Sequence, residues 1–342
     1  MKAWRHIVVA LVLLIATAAA TTLVPQPRLD GFNIIAVPGH AFGTADAGRS
    51  IAKARRLGAR ALAIVPFLWQ AAPSSASVKR GSDMPDEELR AAIRQVRAHG
   101  LVAVVKPHVW VPGSWAGAIA PRDEAGWRSW FTEYEKAIVP IARLAAQEKA
   151  YAFVVGTELK RTTQRPEWRD VIAKVRAVFP GLVFYVAHDI EGAERVPFWP
   201  KLDAIGVSLY PSLGADDDLA GRRAVNDGVV QHLHALAQRY GKPVIVGEVG
   251  IRSAKGAAAK PWQSAEERRA KPDPQLQAAV LADWLRALDR PWVRGVLVWR
   301  WLSDPAAGGP QDTDFTVQGK PAEAVLHCAW SGACAQAMAL SR

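Results

Sequence analysis

The chain has 342 residues, half of them hydrophobic, enough to bury one large core. Its formal charge of +11 is spread along the whole length, with no basic run interleaved with aromatics, so nucleic acid is excluded as a partner. A basic exterior would suit an anionic polysaccharide or a cell envelope, and the simpler, preferred reading is a solvated surface with no such partner.

In chain order, Lys2 and Arg5 precede an apolar run at 7–16, followed by small residues spaced as cleavage sites within 16–20. This is the layout of a secretory signal peptide, and the run is shorter than the ~20 residues of a spanning helix. Residues 1–20 are therefore set apart, either removed or kept as an anchor. The expected location is secreted or periplasmic, with no membrane contact after cleavage.

From there, apolar runs ending in polar or aromatic residues recur eight times, at 31–37, 61–69, 101–111, 151–158, 182–189, 204–210, 243–250 and 295–301. Helical patterns fall between most of them, at 46–57, 86–97, 127–149, 166–178, 224–240 and 275–288. Ser82 or Asp83 reads as the cap of the second helix. The gap at 190–203 is too rich in proline and aromatics for a helix. Eightfold strand–helix alternation predicts an α/β fold, a single (β/α)8 TIM barrel. A doubly wound sheet would offer a G-x-G-x-x-G turn after its first strand, and 38–43 reads Pro-Gly-His-Ala-Phe-Gly instead. The longest loops follow runs two, three, seven and eight, on the face where barrel sites form. One domain is expected at 30–327, with a tail at 328–342. In an oxidising compartment the only two cysteines, Cys328 and Cys334, would pin that tail as a disulfide.

Two of the runs end alike. KPVIVGEVGIRS at 242–253 delivers Glu248 between two glycines at the end of a Val/Ile strand, and YAFVVGTEL at 151–159 delivers Glu158 after Gly156 and Thr157. A lone acid on a buried strand is expensive unless it is used or paired. Runs four and seven of an eight-stranded barrel face each other across its mouth. A pair of carboxyls there fits glycosidic cleavage, one protonating the leaving oxygen and one acting at the anomeric carbon. For that chemistry Glu158 must carry a proton, so its pKa should lie above that of Glu248. The other strand ends carry Trp69, Gln70, Lys106, His108, Trp110, His188, Asp189, Tyr210, Trp299 and Trp301, which with Thr157 form the expected sugar-binding set. Aromatic faces stack on pyranose rings, and the polar groups bond hydroxyls. By period two Trp299 and Trp301 share one side of their strand, and at least one should line the cleft. No metal-ligand cluster, G-x-S-x-G elbow or phosphate loop is present. The expected substrate is a carbohydrate, with no metal, no cofactor and a monomeric chain.

Seven motifs in order, KPHVW (106–110), SWAGAI (114–119), VVGTELKRTT (154–163), FWPKLDAIGVSLYPSL (198–213), GEVGIRS (247–253), VLVWRW (296–301) and GKPAEAVL (319–326), resemble glycoside hydrolase family 113. The resemblance runs from about 30 to 326. It implies a retaining barrel glycosidase of the β-mannanase type, with Glu158 as acid/base and Glu248 as nucleophile. It further implies that Tyr210 hydrogen-bonds the nucleophile, and that His108 and Trp299 or Trp301 line the subsite beside the scissile bond. The chain departs from the family pattern at Ala116, where Arg is common after Ser-Trp, at His188-Asp189, where Asn-Trp is common, and at Gly247, where Thr is common. A non-hydrolytic sugar-binding barrel serving envelope or exopolysaccharide assembly is the alternative from another class.

Overall fold

The computed structural model describes residues 27–332, and the expected signal segment and Cys334 lie outside that range. Eight parallel strands close into a barrel: Gly31–Ile35, Ala61–Ile64, Val102–Val105, Ala152–Thr157, Leu182–His188, Ala204–Leu209, Val244–Val249 and Val293–Leu302. Each pairs with its chain neighbours, and the eighth returns to the first. The single (β/α)8 barrel expected from the alternation is the fold.

Eight helices surround it: α1 (Ala45–Arg56), α2 (Asp86–Ala98), α3 (Glu124–Gln147), α4 (Trp168–Val178), α5 (Asp189–Arg195), α6 (Leu219–Tyr240), α7 (Pro274–Ala287) and α8 (Ala322–Ser331). Their starts follow from local chemistry. Thr44, Asp123, Asp218 and Asp273 each accept a hydrogen bond from a first-turn N–H of α1, α3, α6 and α7, satisfying a donor that the helix leaves free. The Asp218 cap begins α6 five residues before the helix expected at 224–240. At α2 the expected cap is replaced. Pro85 occupies that position without a side-chain bond, and Asp83 accepts instead from Phe67 N and Trp69 Nε1. Two helices go beyond the sequence reading. The short α5 falls in the gap at 190–203, and α8 runs through the domain boundary drawn at 327.

The core has two layers. Inside the barrel, Ala61, Ala63, Val104, Val154, Phe184, Val186, Ile245 and Leu297 interdigitate. Outside it, alternate strand residues such as Ile64, Val155, Val207 and Val298 pack against the helices. Runs two and three are each broken by a proline, Pro66 and Pro107, which cannot donate to the ladder. Beyond the breaks, Phe67–Trp69 and His108–Trp110 pair parallel in a small separate sheet, with Lys79–Arg80 antiparallel on its edge. This sheet stands as a wall above one side of the mouth.

Register slips decide which side chains enter the mouth. On strand seven Val246 and Val249 face the helices, while Gly247 and Glu248 both turn inward, because the pairing with strand six slips between Val246 and Glu248. Strand eight slips against strand one so that Asn33 pairs with Trp299 and Ile34 with Trp301. The extra residue sends Trp299 and Trp301 to opposite faces, where strict alternation put them on the same one. A methyl group at Gly247 would sit 2.5 Å from Cγ2 and 2.8 Å from Cγ1 of Val186, a stiff β-branched neighbour. Gly247→Ala should therefore cost about 1–3 kcal/mol in urea denaturation. Val186→Ala in the same chain returns part of that loss, so the double variant loses less than the sum of the singles.

Candidate active site

Lys106 follows the third barrel strand and continues its inward phase from Val104. Its side chain is fully buried, and Nζ lies 2.5 Å from Glu248 Oε1. Tyr210, just past strand six, donates its hydroxyl to Glu248 Oε2 at 3.1 Å. Both oxygens of a carboxylate only 5% exposed are thus engaged, one by a counter-charge and one by a phenol. Burial and the two nearby carboxylates push the Tyr210 hydroxyl well above its ordinary pKa, so it remains a donor. The Trp299 ring packs 5.3 Å from the Lys106 ammonium, a cation–π contact on the floor of the site.

Glu158 comes from the opposite side. Gly156 lets strand four slip, since its Cβ direction points at Trp168 and Tyr185 in the outer layer, and Glu158 itself has φ 56°. His188, ending strand five, places Nδ1 3.1 Å from Glu158 Oε1. His108 Nε2 lies 3.8 Å from Glu158 Oε2 and 3.9 Å from Glu248 Oε1. One imidazole nitrogen thus lies within 4 Å of both carboxyls, which face the same gap at the mouth. Burial lowers the His108 pKa, the two carboxylates oppose this, and Lys106 adds to the lowering. With Nδ1 against the Val109 carbonyl at 3.3 Å, the neutral ring presents Nε2 to the gap as an acceptor for a hydroxyl.

The titration of Glu158 departs from the expectation of a raised pKa. Burial pushes the carboxyl up, but the His188 hydrogen bond and charge, and then His108, outweigh it and hold it at about 2. Burial likewise pulls His188 down, and Glu158 followed by Asp189 outweighs that, leaving the imidazole above its ordinary value. In this structure the proton of the pair therefore rests on His188. The sequence reading treated Glu158 without this partner.

The remaining expected residues divide. Trp69 and Trp110 lie side by side on the small sheet, ring centroids 6.3 Å apart and each about half exposed. Asp189 sits beside His188 at the mouth, with φ 53°. Four positions expected to bind sugar are otherwise occupied. Gln70 is buried, its amide donating to the carbonyls of Ala72, Pro73 and Ser75 while its oxygen accepts from Trp130 Nε1. Thr157 spends its hydroxyl on the Pro107 carbonyl, bracing the segment that carries His108. Trp301 is buried in the outer layer, bonded to Ser50 and lying under Lys53. Lys106 enters the site through Glu248 and is too buried to reach a hydroxyl. The sequence reading missed Trp115, 40% exposed and packed on His188, although a tryptophan in a Gly-Ser loop is a signal of exposure. It also missed Ser208, which pairs in register with both His188 and Glu248. The buried Ser208 hydroxyl lies close enough to Glu158 to favour its ionised form. Among the described residues no group of three or more His, Cys, Asp or Glu side chains is placed to hold a metal ion.

Lys106→Met leaves the Glu248 charge buried with a phenol alone. The expected cost is about 3–5 kcal/mol by urea denaturation. Glu248→Gln in the same background recovers part of it; equal stability of Lys106→Met and the parent would show that the ion pair carries no weight.

Comparison with known proteins points one way. The profile of Glycoside Hydrolase Family 113 matches residues 31–320. A complex structure of a family 113 β-1,4-mannanase superposes with a TM-score of 0.79 at 27% identity, covering 90% of this chain and 99% of that one. A family 113 β-mannanase from Alicyclobacillus acidocaldarius, in complex with ManMIm, gives 0.79 at 25%, covering 90% and 98%. The β-glucuronidase from Ruminococcus gnavus shares the barrel alone, at a TM-score of 0.59 and 12% identity over 89% of this chain and 50% of its own. No curated protein sequence matches.

Proposed function

The chain belongs to glycoside hydrolase family 113 and is a glycoside hydrolase, and from that membership we propose that it cleaves a β-linked, mannan-like polysaccharide or oligosaccharide with retention. The observation that carries the reading is the contrast between the two acids. Glu248 is clamped by Lys106 and Tyr210, while Glu158 faces it across the gap spanned by His108.

A nucleophile has to arrive at the anomeric carbon in one orientation, and a carboxylate bonded at both oxygens has little freedom to do otherwise. Glu248 attacks that carbon as Glu158 protonates the departing oxygen, giving a glycosyl–enzyme ester. Glu158 then takes a proton from water, which attacks the same carbon and releases Glu248. Negative charge leaves Glu248 as the ester forms, and Tyr210 and Lys106 stabilise it again as it departs. His108 Nε2 and the Trp299 ring line the sugar site next to the bond. Trp69 and Trp110 offer a stacking platform for rings further along the chain, and Trp115 closes the side above His188. The mannan-like assignment comes from the two mannanases that superpose on this chain.

We also propose export directed by residues 1–20, from the charge and apolar run of that segment. N-terminal sequencing of the chain recovered from the extracellular or periplasmic fraction tests it: a start near residue 21 supports export with cleavage, and a chain confined to the cytoplasm contradicts export.

Glu248→Gln should lower turnover of mannan-type oligosaccharides by about 10⁴-fold or more with the fold intact by circular dichroism. Proton NMR of the first product of the parent enzyme should show the β-anomer. The α-anomer first would mean inversion, and activity retained in Glu248→Gln would remove it as nucleophile.

A further inference from the structure

His188 is a second ionisable group on the acid, and a scheme of two carboxylates has no use for one. Its ring is nonetheless fixed on three sides. Nδ1 meets Glu158 Oε1 at 3.1 Å, and Nε2 lies 3.6 Å from Asp189 Oδ2. The Trp115 indole packs on the ring with centroids 4.5 Å apart. Asp189 is itself held, accepting from Gly192 N at 2.6 Å and from Lys160 Nζ at 3.0 Å, while Lys160 also bonds Glu191 at 3.2 Å. The second oxygen of Glu158 faces His108, the Glu248, Lys106 and Tyr210 cluster lies beyond that ring, and the buried Tyr185 hydroxyl senses the Glu158 charge from the outer layer.

We propose that His188 is a positioning residue that joins Glu158 to itself as one proton-carrying pair and reserves Oε2 of the carboxyl for the glycosidic oxygen. This rests on the hydrolase reading above. Nδ1–H donates to Oε1 whether the ring is charged or neutral, so Oε1 is always occupied. The pair then holds one transferable proton. It resides on Nε2, beside Asp189, when the carboxyl is ionised, and on Oε2 when Glu158 is ready as the acid; Nε2 gives its proton to solvent at the partly exposed mouth as Oε2 takes one from it. As the glycosidic bond breaks, that proton passes from Oε2 to the departing oxygen, leaving a carboxylate and a neutral imidazole. The attacking water later returns a proton to Oε2, and the pair is restored. The pKa directions agree: the neighbours of each group hold Glu158 low and His188 high.

The sign of the pH dependence follows. A pair loses its single proton only as pH rises through the raised pKa of the imidazole, whereas a buried carboxyl without that partner loses its proton earlier. His188→Gln keeps a donor near Oε1 but stores no proton. It should move the alkaline limb of kcat/KM down by about one pH unit or more and leave the acid limb in place. A readout independent of turnover is the NMR titration of the His188 imidazole in the parent chain and in Glu158→Gln. The pairing predicts a fall of about one pH unit or more in the variant. An unmoved alkaline limb in a folded His188→Gln, or an imidazole that titrates alike in both chains, overturns the proposal. Coupled titration in a chain that hydrolyses no β-glycan would support the pair and overturn the hydrolase reading instead.

Discussion

Burying a carboxylate inside a closed barrel is costly unless a counter-charge is buried with it. Lys106 on one strand end and Glu248 on another satisfy each other at 2.5 Å, and much of the mouth is arranged so that they can meet. Trp299 packs against the ammonium, Tyr210 occupies the remaining carboxylate oxygen, and Thr157 braces Pro107 beside the lysine. The interaction adds little to stability beyond what an apolar pair would give. What it contributes is a fixed direction for one carboxylate in a site whose chemistry depends on where that carboxylate points.

The same mouth shows how a regular barrel makes room for irregular chemistry. Strict alternation along strand seven would send Glu248 to the helices if Gly247 faced inward. The slip at that point turns both inward, and only a glycine clears Val186 there. Strand four slips before Glu158, and strand eight after Trp299. Three departures from ladder regularity thus fall on the three strands that bring the acids and the floor of the site together. Glu158 and Asp189, both non-glycine residues in the left-handed region, lie at the same rim.

Much of this was legible in the chain itself. Eight apolar runs predicted eight strands, and the Gly-acid endings of runs four and seven singled out the two glutamates that the fold brings face to face. The sequence failed where a side chain's partner is set only by the folded turn or by a distant strand. Gln70 has the composition of a sugar-binding residue, but the turn after it leaves the carbonyls of Ala72, Pro73 and Ser75 in need of a donor, and Gln70 supplies it. Trp301 was assigned to the face of Trp299 because alternation cannot foresee an inserted residue. Lys106 read as a ligand for hydroxyls because its match, Glu248, lies 142 residues further on. The seven-residue α5 is too short to show a helical period amid prolines and aromatics. The proton held by His188 was invisible for the same reason: residues thirty positions apart decide it together.

In the proposed reaction Glu248 forms a covalent bond to the sugar while Glu158 supplies the proton to the departing oxygen. Incubation with an activated 2-deoxy-2-fluoro-mannoside, followed by intact-mass and peptide mapping, tests this most directly. Inactivation is expected with one sugar added per chain, on the peptide containing Glu248 and on that residue. A label on Glu158, or full turnover activity with no adduct, would contradict it.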